Sequence, residues 1–224
     1  MIGLIAAMES ERKSVTDRMS EVTESETASV KFYKGKIGSE EAVVALSGVG
    51  KVSAAIAATL LCQIFQPDAL ISIGVAGGLK NEQEVGDLVL SDLAIQADFD
   101  VSFLDGPNGI GKVFHADKAL LERGTKAAEK CGLRWSVGTI ATQDLFMAGD
   151  EDYARLMSRF PESAASEMEG GAIAQVATQF HLPFLIIRTL SDVVVHDDNP
   201  VEFSTFAESS SRKAAEFFEV FCSL

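Results

Sequence analysis

Six short apolar runs, each bounded by glycine or by charge, predict buried strands at residues 2–7, 42–46, 69–73, 87–90, 137–141 and 184–190. Longer segments between them carry helical spacing. In residues 169–180, Ala172, Ile173, Val176, Ala177 and Phe180 fall on one stripe, and residues 204–221 do the same with Phe206, Ala214, Phe217, Phe218 and Phe221. Residues 116–131 alternate polar and apolar stretches as a surface helix does, despite Gly124. Residues 52–66, VSAAIAATLLCQIFQ, have helical spacing but no charge, which is wrong for a helix with one wet face. That helix is either internal to the fold or covered by a second subunit. Residues 30–46 read as a hairpin turning near 38–41. Residues 102–112, SFLDGPNGIGK, collect glycine and proline and predict the weakest order.

Strands alternating with helices predict an α/β fold: a three-layer αβα arrangement around a mixed, largely parallel central sheet, with helices on both faces. No internal repeat and no linker rich in Pro, Gly or Ser divides the chain, so one domain is expected over 1–224. The composition agrees, with 47% hydrophobic and 23% charged residues in a chain of 224. Folding such a length removes roughly 70% of the extended chain's area, enough for one large core.

Lys and Arg number 19 against 33 Asp and Glu, a net charge of -14 that repels a phosphate backbone or an anionic membrane. Neither nucleic acid nor membrane is expected as a partner. The opening MIGLIAAMESER follows its apolar run at once with acids and has no basic n-region, so a cytoplasmic location is expected. Cys62, Cys131 and Cys222 are widely spread in helical contexts and read as reduced thiols. His115, His181 and His196 have no partner at metal spacing, so no structural metal is expected.

In open α/β sheets ligands bind beyond the carboxyl ends of the strands. The residues found there are Met8-Glu9-Ser10-Glu11, Ser47-Gly48-Val49-Gly50-Lys51, Gly74-Val75-Ala76-Gly77-Gly78 and Ser191-Asp192. Ser166-Glu167-Met168-Glu169-Gly170-Gly171 opens the helical stretch at 169–180. The glycine segments fit neither the P-loop nor the GxGxxG pattern. They are tight turns, or places where a neutral ligand comes close to the backbone. Glu9, Glu11, Glu167 and Glu169 are helix caps or site carboxylates. Asp192 lies in apolar sequence, where desolvation favours the protonated form that a general acid needs. A turn-capping Asp is the other reading.

The segments GLIAAMESE, SGVGKVSAA, GVAGGL, SEMEGGAIA and RTLSDVV, in this order and at these separations, resemble the 5′-methylthioadenosine/S-adenosylhomocysteine nucleosidases of the nucleoside phosphorylase/hydrolase superfamily. The likeness runs from Ile2 to the last helix. It implies the nucleoside phosphorylase/hydrolase-like fold, hydrolysis of an N-glycosidic bond, a small-molecule nucleoside substrate, no cofactor and a homodimer. By motif, Glu11 would activate water, Asp192 would protonate adenine N7, and Glu169 would hold the ribose hydroxyls over Met168. Arg188 would help hold the water and Ser191 would orient Asp192. Phe146 and Met147 would line the base pocket, and Phe203 would cover the ligand. Val49, Val75, Ala76 and Gly77 would form walls, with Met8 and Glu167 also placed at the substrate.

Three positions depart from the family pattern. Val75 stands where a hydroxyl residue is usual. QADFDVSFLDGPNGIG replaces a loop rich in histidine and aromatics that the partner subunit normally lends to the 5′ end of the pocket. Gly170 and Gly171 stand where Ala and Thr are commoner. Related phosphorylases carry arginines for phosphate in segments that here read SGVGK and GVAGG, which points to water as nucleophile. Futalosine hydrolase, an adenosine-directed phosphorylase and a purine nucleoside binding protein without turnover are the alternatives.

Overall fold

The computed structural model describes residues 1–147, 149–195 and 199–224, with the side chains of the last segment from residue 206 onward. Among the described residues, ten strands form one mixed sheet. Its central strands β1 (Ile2–Ala6), β4 (Glu40–Leu46), β5 (Ala69–Gly78) and β10 (Phe184–Val193) run parallel. The strands β2 (Ser20–Thr27) and β3 (Val30–Ile37) extend one side as antiparallel hairpins. On the other side, β6 (Leu88–Asp100) runs antiparallel to β10 and parallel to β8 (Trp135–Thr142), which runs parallel to β9 (Ser163–Glu167). Gly77 and Gly78 of β5 pair back onto β9, so β5, β10, β6, β8 and β9 close a ring. The strand β7 (Ile110–His115) adds to β6.

Two apolar layers follow from the period of two along the buried strands. In β10, Phe184 and Ile186 join Leu70 and Ile5 in a core with α2 (Lys51–Phe65) and α6 (Gly170–Gln179). Leu185 and Ile187 face the opposite layer, where α1 (Glu9–Thr16), α4 (Lys118–Lys130) and α7 (Asn199–Phe221) supply Val15, Ala127, Phe217, Phe218 and Phe221. This is the expected three-layer αβα fold. A third, smaller cluster around Leu79, Ile95 and Met147 is covered by Leu156 of α5 (Asp150–Arg159).

Several local expectations change. Residues 74–78 are the end of β5 and not a tight turn, since they continue its ladder onto β10 and β9. The first part of the presumed loop, residues 96–100, is the continuation of β6 through Asp100, held by ladder bonds to β7 and β8. Residues 102–112 carry the short helix α3 (Ser102–Asp105), a 3-10 turn over Gly106–Gly109 and the start of β7. The charge-free helix is not internal to one chain: Ala54, Ala57, Ala58 and Leu61 are buried, while Val52 and Ile56 on its other face are exposed.

Candidate active site

A cavity of about 670 Å³, its open mouth included, lies beyond the carboxyl ends of β1, β5, β9 and β10. Of the residues expected at the site, Met8, Glu11, Val49, Val75, Ala76, Gly77, Phe146, Met147, Glu167, Met168, Glu169, Ser191 and Asp192 line it. Arg188 lies behind the lining, and the Phe203 side chain falls outside the described residues. Ala7, Leu145, Ser166 and Val194 complete the wall. They are apolar or small and carry no chemical signature that sequence reasoning could detect.

Glu11 combines the two roles left open by the sequence. As the third residue of α1 it reaches back, and its Oε2 accepts the N–H groups of Ala7 and Met8, both at 2.9 Å. Its Oε1 accepts the N–H of Val75 at 3.1 Å, which ties the helix start to β5 inside the cavity. Burial pushes the Glu11 carboxyl above the usual range, against the pull of the Met8 N–H, the Arg188 charge and the Val75 and Ala7 N–H groups.

Asp192 occupies an irregular point in β10, where the register against β5 shifts between Leu190 and Asp192. Such a shift re-aims a side chain that a regular strand would hold elsewhere. The Ser191 hydroxyl donates to Asp192 Oδ1 at 2.7 Å, and both residues are buried. Asp192 is paired in the ladder with Gly77, which is where β5 passes beneath its carboxylate.

Glu167 and Glu169 flank the start of α6 and differ in surroundings. Glu167 is saturated: Oε2 accepts the N–H groups of Glu169 at 3.1 Å and Gly170 at 2.7 Å, and Arg188 Nη2 at 2.5 Å. The Thr142 hydroxyl donates to its Oε1. Glu169 Oε1 accepts the Gly50 N–H at 2.8 Å, while Oε2 lies 4.0 Å from Arg188 Nη2. Burial, then the negative charge of Glu167, raises the Glu169 carboxyl to about 7, with Arg188 and the Gly50 N–H opposing and Glu11 adding. Arg188 also donates to the Ser72 hydroxyl at 2.9 Å and to the Ile187 carbonyl at 3.0 Å. Thr142 and Ser72, which support Glu167 and Arg188, lie inside strands where the sequence pattern marks only burial.

The arrangement brings Glu11, Glu167, Glu169 and Asp192 to one cavity whose described lining contains no Lys, Arg or His. Glu167 is spent on holding Arg188 and the start of α6. The other carboxylates are held at different walls, and burial raises the carboxyls of Glu11 and Glu169. An excess of buried negative charge suits a reaction in which positive charge develops on the bound molecule.

The family model described as phosphorylase superfamily matches residues 1–224. A 5′-methylthioadenosine/S-adenosylhomocysteine nucleosidase of Geobacillus thermodenitrificans is 41% identical over 218 residues, covering 95% of this chain and 92% of that protein. The Neisseria meningitidis nucleosidase of the same name, solved in complex with methylthio-immucillin-A, superposes with a TM-score of 0.94 at 31% identity and covers 99% and 98% of the two chains. The futalosine hydrolase of Helicobacter pylori gives 0.91 at 27% identity, covering 98% and 96%. Together with the five sequence segments now gathered around one cavity or just behind its wall, these likenesses establish that the chain belongs to the 5′-methylthioadenosine/S-adenosylhomocysteine nucleosidase family of the phosphorylase superfamily.

Proposed function

We propose that the chain is an N-glycosyl hydrolase that cleaves 5′-methylthioadenosine and S-adenosylhomocysteine, and 5′-deoxyadenosine by the same chemistry, into adenine and the 5-substituted ribose. The observation that carries this reading is a cavity with four carboxylates and no cation in its described lining. A phosphate nucleophile would enter it against like charge, whereas water meets no such barrier. Among the described residues Lys51 and Arg188 are the cations near the cavity, and both are already held by acids.

Adenine leaves poorly as an anion. Asp192, oriented by Ser191, delivers a proton to N7, and the C1′–N9 bond breaks with its electron pair going to the base. Positive charge gathers on the ribose, where Glu169 holds the hydroxyls above Met168 and stabilises that charge. Glu11 removes a proton from the water that bonds to C1′, and burial, by raising its pKa, makes it a stronger base than a free carboxylate. Arg188, behind the wall, holds Glu167 and through it the start of α6, and acts on the water only through the charge it sets against Glu11 and Glu169. Phe146 and Met147 pack on the base. Placed acids and bases contribute about 10² to 10⁴ fold each, so anchoring of base and sugar must supply the remainder.

The exposed apolar face of α2 supports a homodimer, the products suit methionine salvage, and the cytoplasm is the compartment we assign. Among the described residues no helix is long and apolar enough to cross a membrane.

Release of the base from these nucleosides and from futalosine, adenine from the former and hypoxanthine from the latter, with and without phosphate, tests the proposal. Release of adenine without phosphate is expected, with kcat falling by about 10² or more in Asp192→Asn and in Glu11→Gln. Release that requires phosphate and yields a sugar phosphate overturns hydrolysis. Unchanged rates in both variants overturn the roles, and tight binding without release identifies a nucleoside binding protein instead.

A further inference from the structure

Lys51 begins α2, the end of a helix where unpaired N–H groups concentrate positive potential, so a cation there is misplaced unless it is compensated. Carboxylates from two other parts of the chain compensate it. Lys51 Nζ lies 2.5 Å from Asp98 Oδ1 on β6 and 3.8 Å from Asp144 Oδ2, just after β8. The backbone joins the same cluster: the Lys51 N–H donates to Asp144 Oδ1 at 2.8 Å, and the Asp144 N–H donates to Asp98 Oδ2 at 2.9 Å. Gly50, the residue before the helix, has φ +95 and no side chain with which to cap it. Asp144 therefore caps α2 from across the chain.

None of the three lines the cavity, yet Asp144 directly precedes a lining residue, Lys51 stands two residues after one, and Asp98 ties the two together. Val49 and Gly50 precede Lys51, and Gly50 gives its N–H to Glu169 Oε1. Leu145, Phe146 and Met147 follow Asp144 directly and form the wall assigned to the base. A partly exposed ion pair contributes little to stability, so this many bonds in one cluster calls for a different use. We propose that Lys51, Asp98 and Asp144 form a clamp of positioning residues that fixes the base wall at 145–147 relative to the ribose carboxylate Glu169, and thereby sets the affinity for nucleoside. The assignment of base and ribose ends rests on the nucleosidase reading.

Steady-state kinetics of the full chain with 5′-methylthioadenosine test the clamp. Lys51→Met should raise KM by about tenfold with kcat changed much less, because a small displacement misplaces binding groups without removing a reacting one. Lys51→Arg should restore most of the loss. In Lys51→Met combined with Asp98→Asn the penalty should match that of the worse single variant, since the clamp is already open. With the Gly50 donor loosened, the acid limb of kcat/KM should move to higher pH, while Glu11, Glu167 and Arg188 still face Glu169. A KM within twofold of wild type, a loss that arginine does not relieve, or penalties that multiply in the double variant would each overturn the clamp. Should Lys51→Met fail to fold, Asp98→Asn alone is judged by the same KM criterion. If the wild-type protein releases no adenine, the nucleosidase reading fails separately, and the clamp is then read from adenine binding by calorimetry, with about tenfold weaker binding expected in Lys51→Met.

Discussion

An alanine methyl at Gly74 would sit 2.5 Å from Glu11 Oε1, and one at Gly77 would sit 3.0 Å from Asp192 Oδ2. Gly74 and Gly77 thus make room for the two carboxylates assigned to proton transfer, Gly77 also for a Val194 methyl at 2.9 Å, while Gly78 faces Gln83 and Leu190. Gly74→Ala should displace the Glu11 carboxylate and lower kcat by about 10² or more, at a stability cost of about 1–2 kcal/mol from disturbed hydrogen bonds. Parallel measurement of kcat and thermal midpoint checks this: an active Gly74→Ala variant would show that Glu11 is not needed where it stands. Glu169 makes a different prediction. Its carboxyl is raised from 4.5 to about 7 in the fold, so its contribution to stability is intact below about 4.5 and is lost as pH rises through about 7. The loss amounts to about 3 kcal/mol at most. Glu169→Gln should therefore melt higher than wild type at pH 8, melt nearly alike near pH 4, and be inactive. Equal midpoints at pH 8 would show that the buried charge carries no such penalty. At this scale the sequence exposes acids and glycines by their position after apolar runs. It does not say which acid is saturated, because the partners of Glu167 (Thr142, Arg188 and two backbone N–H groups) come from separate elements.

Elements were legible where one face was apolar and one was not. The stripe at 204–221 lies in α7, with Phe217, Phe218 and Phe221 fully buried against β5 and β10, whereas Phe206, expected on the same stripe, is 39% exposed. Phe218→Ala should destabilise by about 3–5 kcal/mol through lost burial and the cavity left behind, visible as an earlier chemical denaturation midpoint. A loss under about 1 kcal/mol would mean that the layer collapses around the gap. Elements without such contrast escaped. The strand β2, SEVTESET, is exposed at every position and pairs only with β3 at the sheet edge, where charge blocks further pairing. The strand β9, SAASE, is wholly buried but small, since it threads between β8 and β5, and small residues give no strand signal. The helix α5 went unassigned although it has such contrast, with Tyr153, Leu156 and Met157 turned to the core and acids in its first turn. The ring closed by β5 and β9 was also invisible, because two residues of pairing, Gly77 with Ser166 and Gly78 with Ala165, make it.

For the whole molecule, two surface properties pull against each other. A net charge of -14 makes two copies repel at long range, while Val52 at 71% exposure and Ile56 at 48% present an uncharged helix face to solvent. If that face is where two copies meet, association combines short-range apolar burial with long-range repulsion, and only the second term is screened by salt. The dimer should then tighten as ionic strength rises from about 0.01 M, where the Debye length is about 30 Å, to about 0.15 M, where it is about 8 Å. An interface built on ion pairs would do the opposite. Sedimentation across that range distinguishes the two, and Ile56→Glu should give a folded monomer at micromolar concentration, since it buries an unpaired charge at the contact. A dimer that weakens with salt, or that survives Ile56→Glu unchanged, would place the contact on another surface and leave the absence of charge over residues 52–66 without a cause.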